Sequence, residues 1–313
     1  MKSFITGGAG FIGSHLTDLL LGRGEVTVYD NLSSGTLDRL AAASARPGFR
    51  FIKGEVGDLP ALREAMAGHD LVVHLAANPD IARSMVETDL DLREGTILTF
   101  NVLEAMRLTG ARTVLYASGS GVYGDVGVTP TPEEFGPLLP ISMYGASKLA
   151  CEGMISAFSH MFGLRGHMFR FANVVGPRQT HGVGYDFIRK LRKDPFRLEI
   201  LGDGTQSKSY IHVSDVAAAM LCVLDDSPRP LDVYNVATGD YIDVNSIAEM
   251  VIEEMGLNGV RLEHTGGDRG WKGDVPKVRF VLDKILALGW SPRLNSSQAI
   301  RRSVREMLGA ESA

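Results

Sequence analysis

The segment TGGAGFIGSH, at residues 6–15, restricts the fold of this chain more than any other segment. It follows a short apolar stretch, SFIT, and precedes a helix-like stretch, SHLTDLLLG, so it predicts a glycine turn between a β-strand and an α-helix. Gly7, Gly10 and Gly13 are spaced G-x-x-G-x-x-G, and Gly8, Gly10 and Gly13 are spaced G-x-G-x-x-G. In either phase, backbone N–H groups at the start of the helix can approach a pyrophosphate.

An acidic residue, Asp30, ends the next predicted strand, EVTVYD, about twenty residues further on. A carboxylate at this place accepts hydrogen bonds from both hydroxyls of an adenosine ribose and repels a 2′-phosphate. The pattern therefore predicts NAD as the cofactor, in preference to NADP. Asp58 ends a third predicted strand, where it either meets the adenine amine or caps the helix that follows.

Short apolar runs alternate with helical periodicity as far as about residue 176, which is typical of parallel βαβ units covered on both faces. The predicted class is α/β, a Rossmann-type doubly wound parallel sheet with a smaller C-terminal α/β substrate lobe. We expect the NAD-binding domain at 1–176 and the lobe at 177–313, with a segment near 209–240 returning to the main sheet.

Composition excludes several classes of partner. The net charge of −5 over 313 residues gives no long-range attraction to nucleic acid or acidic lipid. The two cysteines, Cys151 and Cys222, lack the spacing of metal ligands, so no metal site is predicted and free thiols in a reducing compartment are expected. With no export signal and no run of 18 apolar residues, the expected location is the cytoplasm, away from the membrane.

The segment YGASK places Tyr144 and Lys148 one helical turn apart, on the same face. A neighbouring ammonium and the positive nicotinamide ring both favour the phenolate form of a tyrosine. Such a phenolate can take the proton of a substrate hydroxyl while NAD takes the hydride from its carbon. The pair is therefore predicted to be catalytic.

Together, the motifs TGGAGFIGSH, LAAN, VYGD, YGASK, RFANVVGPR and SYIHVSD resemble the extended short-chain dehydrogenase/reductase family, in particular its nucleotide-sugar epimerases of the UDP-glucose 4-epimerase type. The resemblance implies transient oxidation of a UDP-sugar, usually at C4, and a homodimer formed through the helices around FNVLEAMRL and ASKLACEGMISAF. The cofactor contacts that it implies are Gly7, Gly10, Phe11, Ile12, Gly13, Asp30, Asn31, Asp58, Leu59, Ala76, Ala77, Tyr144, Lys148 and Phe171. The substrate contacts that it implies are Arg83, Ser84, Asn173, Glu199, Leu201, Lys208, Arg269 and Asp274.

The stretch before Val122 bears on the reaction. Sugar 4,6-dehydratases of this family resemble one another in carrying Asp-Glu where this chain has Ser120 and Gly121, and decarboxylases carry Glu at the second of these positions. Because neither residue here can act as an acid or base for those steps, 4-epimerisation is predicted by subtraction. A dehydratase, decarboxylase or oxidoreductase, or a non-catalytic NAD-binding protein, remains the alternative.

Epimerases of the family usually carry Ser or Thr where this chain has Gly119. Either Ser118 or Ser120 reaches the sugar after a backbone shift, or Tyr144 contacts the sugar hydroxyl directly, or efficient epimerisation has been lost. We favour the first two readings together.

Other departures from the family affect individual contacts. Gly95 stands where many relatives carry an asparagine near the cofactor. Val278 either leaves room for an N-acetylated sugar or belongs to the core. Because Arg83 could bind a carboxylate at C6 of the sugar, UDP-glucuronic acid stays among the candidate substrates.

Overall fold

The computed structural model describes residues 1–79, 81–271 and 273–309. Its strands are β1 (Lys2–Thr6), β2 (Glu25–Asp30), β3 (Phe49–Lys53), β4 (Leu71–His74), β5 (Thr113–Gly119), β6 (Pro130–Thr131), β7 (Arg165–Phe171), β8 (Asn173–Val175), β9 (Arg197–Ile200), β10 (Ser207–Lys208), β11 (Tyr210–His212), β12 (Leu231–Val236), β13 (Ile242–Asp243), β14 (Arg261–His264) and β15 (Arg279–Phe280). Its α-helices are α1 (Phe11–Leu20), α2 (Ala41–Ser44), α3 (Leu59–Met66), α4 (Leu98–Thr109), α5 (Met143–Phe162), α6 (Val183–Lys193), α7 (Val213–Asp226), α8 (Val244–Glu254), α9 (Asp283–Leu286) and α10 (Ser296–Gly309). A π-helical turn, Leu92–Ile97, runs directly into α4.

The main sheet has seven strands in the order β12-β7-β5-β4-β1-β2-β3. Strands β1, β2, β3, β4 and β5 pair in parallel with their neighbours, and in this register Thr6 lies opposite His74 and His74 opposite Tyr116. The strand order reverses between β1 and β4, the place where doubly wound sheets bind dinucleotides beyond the carboxyl ends of their strands. The predicted Rossmann-type fold class is confirmed.

The chain divides into two compact units. Unit 1 comprises residues 1–122, 143–170 and 220–234, and unit 2 comprises residues 123–142, 171–219 and 235–313. Of the segment expected to return to the main sheet, β12 joins it beside β7, whereas β11 pairs with β8 in a separate two-stranded sheet. Each unit is thus built from three separate segments of the chain.

Each unit has its own apolar core. In unit 1, alternate residues of the sheet strands, such as Phe4, Val72 and Val114, pack against buried residues of α3, α4 and α5. In unit 2, Phe187 of α6 and Ile247 of α8 belong to a cluster that also includes residues of α10. Within the described ranges, no helix is both long and apolar enough to cross a membrane.

Candidate functional site

The glycine turn after β1 is built from close backbone contacts. Gly7 has a φ of +71°, and a Cβ at this position would lie 2.7 Å from the backbone nitrogen of Ala76. A Cβ at Gly13 would collide with the carbonyl oxygen of Gly7. Side chains are therefore excluded at both positions, and α1 can start directly beneath the turn.

The start of α1 has the properties of an anion site. Gly10 is the N-cap residue and supplies no side chain to the free N–H groups of the first helical turn, and the turn contains no acidic residue. Unpaired N–H groups and the helix dipole both favour a negative group at this place. These residues fit the pyrophosphate of a dinucleotide.

Asp30 lies at the end of β2, beside the glycine turn, and its side chain is buried. Its Oδ2 accepts a hydrogen bond from the backbone nitrogen of Ala9 at 3.0 Å, and its Oδ1 accepts one from that of Leu32 at 2.8 Å. These contacts fix the carboxylate, and each oxygen retains a lone pair for a ribose hydroxyl.

Asn31 and Asp58 have structural partners. The Asn31 side-chain amide donates to Glu55 Oε2 at 3.0 Å. The Asp58 Oδ1 accepts from the backbone nitrogen of Ala61 at 3.1 Å, so Asp58 is the N-cap of α3. Of the two sequence interpretations of Asp58, the structure contains the capping contact.

The other residues implied as cofactor contacts are distributed over the same unit, except Phe171. Phe11 and Ile12 open α1, Leu59 opens α3, Ala76 and Ala77 follow β4, and the buried Phe171 ends β7. No residue in the described part of the chain belongs to a group of three or more His, Cys, Asp or Glu side chains suited to a metal ion.

Tyr144 and Lys148 lie on the first turns of α5. The Lys148 ammonium is buried and donates to the carbonyl oxygen of Ala117, at the end of β5, with an Nζ–O distance of 2.7 Å. It also lies 5.3 Å from the ring centre of Tyr144 and 4.9 Å from that of Tyr116. The ammonium is thus fixed beside the phenol ring.

Two ionisable side chains near Lys148, those of His74 and Tyr116, are uncharged. Burial, aided by the Lys148 charge, lowers the pKa of His74 to about 3. Burial raises the pKa of the Tyr116 phenol well above its usual value. His74 Nδ1 lies 2.7 Å from Thr6 Oγ1, and His74 Nε2 lies 3.0 Å from Thr99 Oγ1. Because neither neighbour is ionised, neither adds a charge beside the Lys148 ammonium at neutral pH.

The serines around Gly119 differ in their surroundings. Ser118 is buried, and its hydroxyl donates to Glu152 Oε1 at 2.6 Å. Ser120 is partly exposed and starts a short 3-10 turn, Ser120–Tyr123. A Cβ at Gly119 would lie 3.9 Å from the Tyr144 hydroxyl oxygen, and one at Gly121 would lie 4.0 Å from the Tyr144 ring. Ser120 is therefore flanked by two residues that face Tyr144.

Gly95 lies in the π-helical turn that precedes α4. A Cβ at Gly95 would collide with the hydroxyl oxygen of Ser147, which donates to the backbone carbonyl of Asp91 at 2.8 Å. The Ser147 hydroxyl thus fills the space beside Gly95, and an asparagine there would require the Ser147 side chain to turn away.

Unit 2 contains a group of paired charges. Lys208 Nζ lies 2.5 Å from Asp274 Oδ1. Arg269 donates to the Asp274 backbone carbonyl at 2.9 Å and to Asp125 Oδ2 at 2.6 Å. The structure thus brings Lys208, Arg269 and Asp274 together. It adds Asp125, which lies 144 residues from Arg269 in the chain, so that no local sequence signal could have identified it.

The remaining predicted substrate contacts have varied surroundings. The side-chain amide of Asn173 donates to the Ser209 carbonyl at 3.3 Å, and Glu199 is exposed. Leu201 is 46% exposed, whereas Val278 is buried. In unit 1, Ser84 is buried, and Arg83 donates to Glu87 at 2.8 and 3.1 Å.

The sequence analysis did not identify the buried ion pair between Arg170 and Glu152. Arg170 on β7 donates from Nε to Glu152 Oε1 at 3.0 Å and from Nη2 to Glu152 Oε2 at 2.7 Å. Glu152 follows Lys148 by one further helical turn, so the repeat of four residues from Tyr144 was a signal that could have identified it.

The sheet is doubly wound and parallel, a glycine-lined anion site follows its first strand, and a later helix carries a Tyr–Lys pair. These features define a dinucleotide-binding protein of the short-chain dehydrogenase/reductase class. Residues 3–237 match the model of the NAD dependent epimerase/dehydratase family, and the chain belongs to that family. Its cofactor is NAD.

Several proteins are similar to nearly the whole chain, and they are named for two different reactions, epimerisation and dehydration. A putative UDP-glucose 4-epimerase of Methanocaldococcus jannaschii is 31% identical over 97% of both chains. A dTDP-glucose 4,6-dehydratase of Actinoplanes sp. is also 31% identical over 97% of both chains. A crystal structure of a UDP-galactose 4-epimerase is 40% identical, covers 99% of both chains and superposes with a TM-score of 0.87.

Proposed function

We propose that this protein is a cytoplasmic, NAD-dependent 4-epimerase of a UDP-hexose of the glucose/galactose type. The observation that carries the proposal is the segment that faces Tyr144. It reads Gly119-Ser120-Gly121, which places no carboxyl group beside the phenol. A dehydratase needs an additional acid and base to remove water from the oxidised sugar, and this segment supplies neither.

Each part of the site has a role in this reaction. The first turn of α1 holds the pyrophosphate of NAD, Asp30 holds the adenosine ribose, and Lys148, which lies beside the Tyr144 ring, holds the nicotinamide ribose. NAD supplies a reversible acceptor for the hydride at C4 of the sugar. Tyr144 takes the proton of the 4-hydroxyl group and later returns it to the same oxygen. The configuration at C4 is inverted because the oxidised sugar rotates and accepts the hydride on its other face.

The open space at Gly119 supports direct contact between Tyr144 and the sugar hydroxyl. Within the described residues no hydrogen bond to the Tyr144 hydroxyl is found, and no side chain fills the position of a Cβ at Gly119. Ser120, flanked by the two glycines, is the hydroxyl that we propose as an auxiliary group. The engagement of Ser118 with Glu152 argues against a relay role for Ser118.

The unit 2 charges are proposed to hold the nucleoside diphosphate. Lys208 and Arg269 supply two cations, and Asp274 holds both of them through its side chain and backbone. Lysine lacks the bidentate fork of arginine, so Lys208 acts as a point charge on the diphosphate. Asn173, Glu199, Leu201 and Ser84 are assigned to the sugar and base, following the family resemblance.

The alternative function is a nucleotide-sugar 4,6-dehydratase, favoured by the dehydratase relative that is as similar to this chain as the epimerase relative.

Proton NMR distinguishes the 4-epimerase from the 4,6-dehydratase. The protein is incubated separately with UDP-glucose, UDP-N-acetylglucosamine, UDP-glucuronic acid and dTDP-glucose, with Tyr144→Phe as the inactive control. Inversion at C4 of UDP-glucose supports the proposal, whereas loss of water from dTDP-glucose supports the alternative function. Loss of carbon dioxide, or no turnover with NAD retained, refutes both.

We also propose a homodimer formed through α4 and α5. Phe100 and Leu108 of α4 are each 44% exposed, and Met161 and Phe162 of α5 are 72% and 44% exposed. Exposed apolar side chains grouped on adjacent helices are typical of an interface. Light scattering on the purified protein should give twice the chain mass, and Phe100→Glu with Met161→Glu should give the single chain mass.

A further inference from the structure

A buried cluster of three side chains ties β5, α5 and β7 together. Glu152 is at its centre: Oε1 accepts from Ser118 Oγ at 2.6 Å and from Arg170 Nε at 3.0 Å, and Oε2 accepts from Arg170 Nη2 at 2.7 Å. All three residues are buried. The carboxylate thus has a charged partner and a hydroxyl donor, and the cluster contains a negative and a positive charge in contact.

The cluster is part of the same helical face as the predicted catalytic pair. Tyr144, Lys148 and Glu152 follow one another at intervals of four residues on α5, and side chains at this spacing lie above one another. Lys148 binds the carbonyl of Ala117, and Glu152 binds the hydroxyl of Ser118, the next residue of β5. Two successive turns of α5 are therefore attached to two successive residues of one strand end.

We propose that Glu152, oriented by Arg170 and Ser118, is a positioning residue that sets the register of α5 against the end of β5. The proposal rests on the proposed roles of Tyr144 and Lys148. A buried ion pair is seldom a net source of stability, because desolvation offsets its attraction, whereas its geometry restricts the groups around it. Here the restricted groups are the strand end and helix that carry Lys148 and Tyr144.

The first test removes the charge of Glu152 and keeps its shape. Glu152→Gln weakens the charge-assisted bonds to Arg170, so the strand end and the helical turn that hold Lys148 are fixed less firmly. Because Lys148 is the proposed contact of the nicotinamide ribose, the affinity for NAD measured by calorimetry should fall about tenfold. The matched control is Glu25→Gln, which removes an exposed carboxylate at the start of β2 and should bind NAD as the wild type does.

The second test removes one hydrogen bond and no charge. Ser118→Ala should lower kcat about tenfold with little change in KM, because the strand end loses a tie to α5 while the substrate-binding residues are untouched. Ser118→Thr restores the hydroxyl and should recover the rate. The matched control is Ser3→Ala, since Ser3 is a buried serine near the opposite end of the parallel sheet.

The two tests fail in distinguishable ways. The calorimetric titration with NAD needs no sugar substrate, so absence of epimerase activity refutes the proposed function without affecting that readout. If Glu152→Gln does not fold, the Ser118 variants decide the question. Wild-type affinity for NAD in folded Glu152→Gln, or wild-type kcat in Ser118→Ala with only a lower melting temperature, overturns the proposal.

Discussion

Replacing Gly119 by serine tests whether Tyr144 works without a hydroxyl partner. A Cβ at position 119 would lie 3.9 Å from both Cε1 and the hydroxyl oxygen of Tyr144, with no other atom of the described residues nearer, and this is ordinary van der Waals contact. Gly119 is not among the glycines with positive φ, so a side chain is compatible with its backbone. One of the three staggered rotamers of a serine side chain should bring its hydroxyl within hydrogen-bond distance of the phenol oxygen.

The expected gain follows from the energy of one hydrogen bond. A hydrogen bond worth about 1.4 kcal/mol in the transition state raises the rate about tenfold. Gly119→Ser should therefore raise kcat for UDP-galactose epimerisation about tenfold and leave KM within about twofold of the wild type. Initial rates from the anomeric proton signals of the two sugars give both constants.

The matched variant is Gly119→Ala, which adds the Cβ without the hydroxyl. It should retain the wild-type rate, and its free energy of unfolding should rise by about 0.4–1 kcal/mol because alanine restricts the unfolded chain. Equal rates for the serine and alanine variants, or a slower serine variant, would refute the view that the space beside Tyr144 is open to a hydroxyl.

Three further predictions concern the cofactor, pH and the diphosphate. Asp30→Asn should weaken NAD binding at least tenfold and reduce the preference of the protein for NAD over NADP, because the charge that repels a 2′-phosphate is lost. Calorimetry with each cofactor measures both effects, and an unchanged preference would argue against a contact between Asp30 and the ribose. Burial lowers the pKa of His74 to about 3 and that of His167 to about 4, below the value of about 6.5 expected in the unfolded chain. The unfolding free energy should therefore fall as the pH drops from about 6.5 towards 4, by roughly 1–3 kcal/mol per histidine, and urea titrations of His74→Asn should show a weaker dependence. Lys208→Met should raise KM for a UDP-sugar about tenfold with kcat nearly unchanged, and a change confined to kcat would remove Lys208 from the diphosphate site.

The local parts of the site could be placed from the sequence. The glycine turn, the acidic end of β2 and the Tyr–Lys pair on one helical face each depend on residues that are close in the chain or on the alternation of strands and helices. The α/β alternation then brings the carboxyl ends of β1, β2 and β5 to one edge of a parallel sheet. The class of fold and the position of the nucleotide turn follow from these patterns.

The partners of individual polar groups could not be placed in this way. Sequence alone left Ser118 and Ser120 equivalent, and the structure separates them because Glu152, 34 residues later, accepts the hydroxyl of Ser118. The two compact units also depend on contacts between distant segments, since residues 123–142 and 220–234 each group with a distant part of the chain.

For this protein, sequence spacing determined where a dinucleotide turn and a Tyr–Lys pair occur, because backbone periodicity is a short-range property. Tertiary structure decided which hydroxyl is taken by a buried carboxylate and which charges are paired, as in Arg269 with Asp125. A polar side chain can bond to many groups, and only the packing of distant elements selects the one within reach.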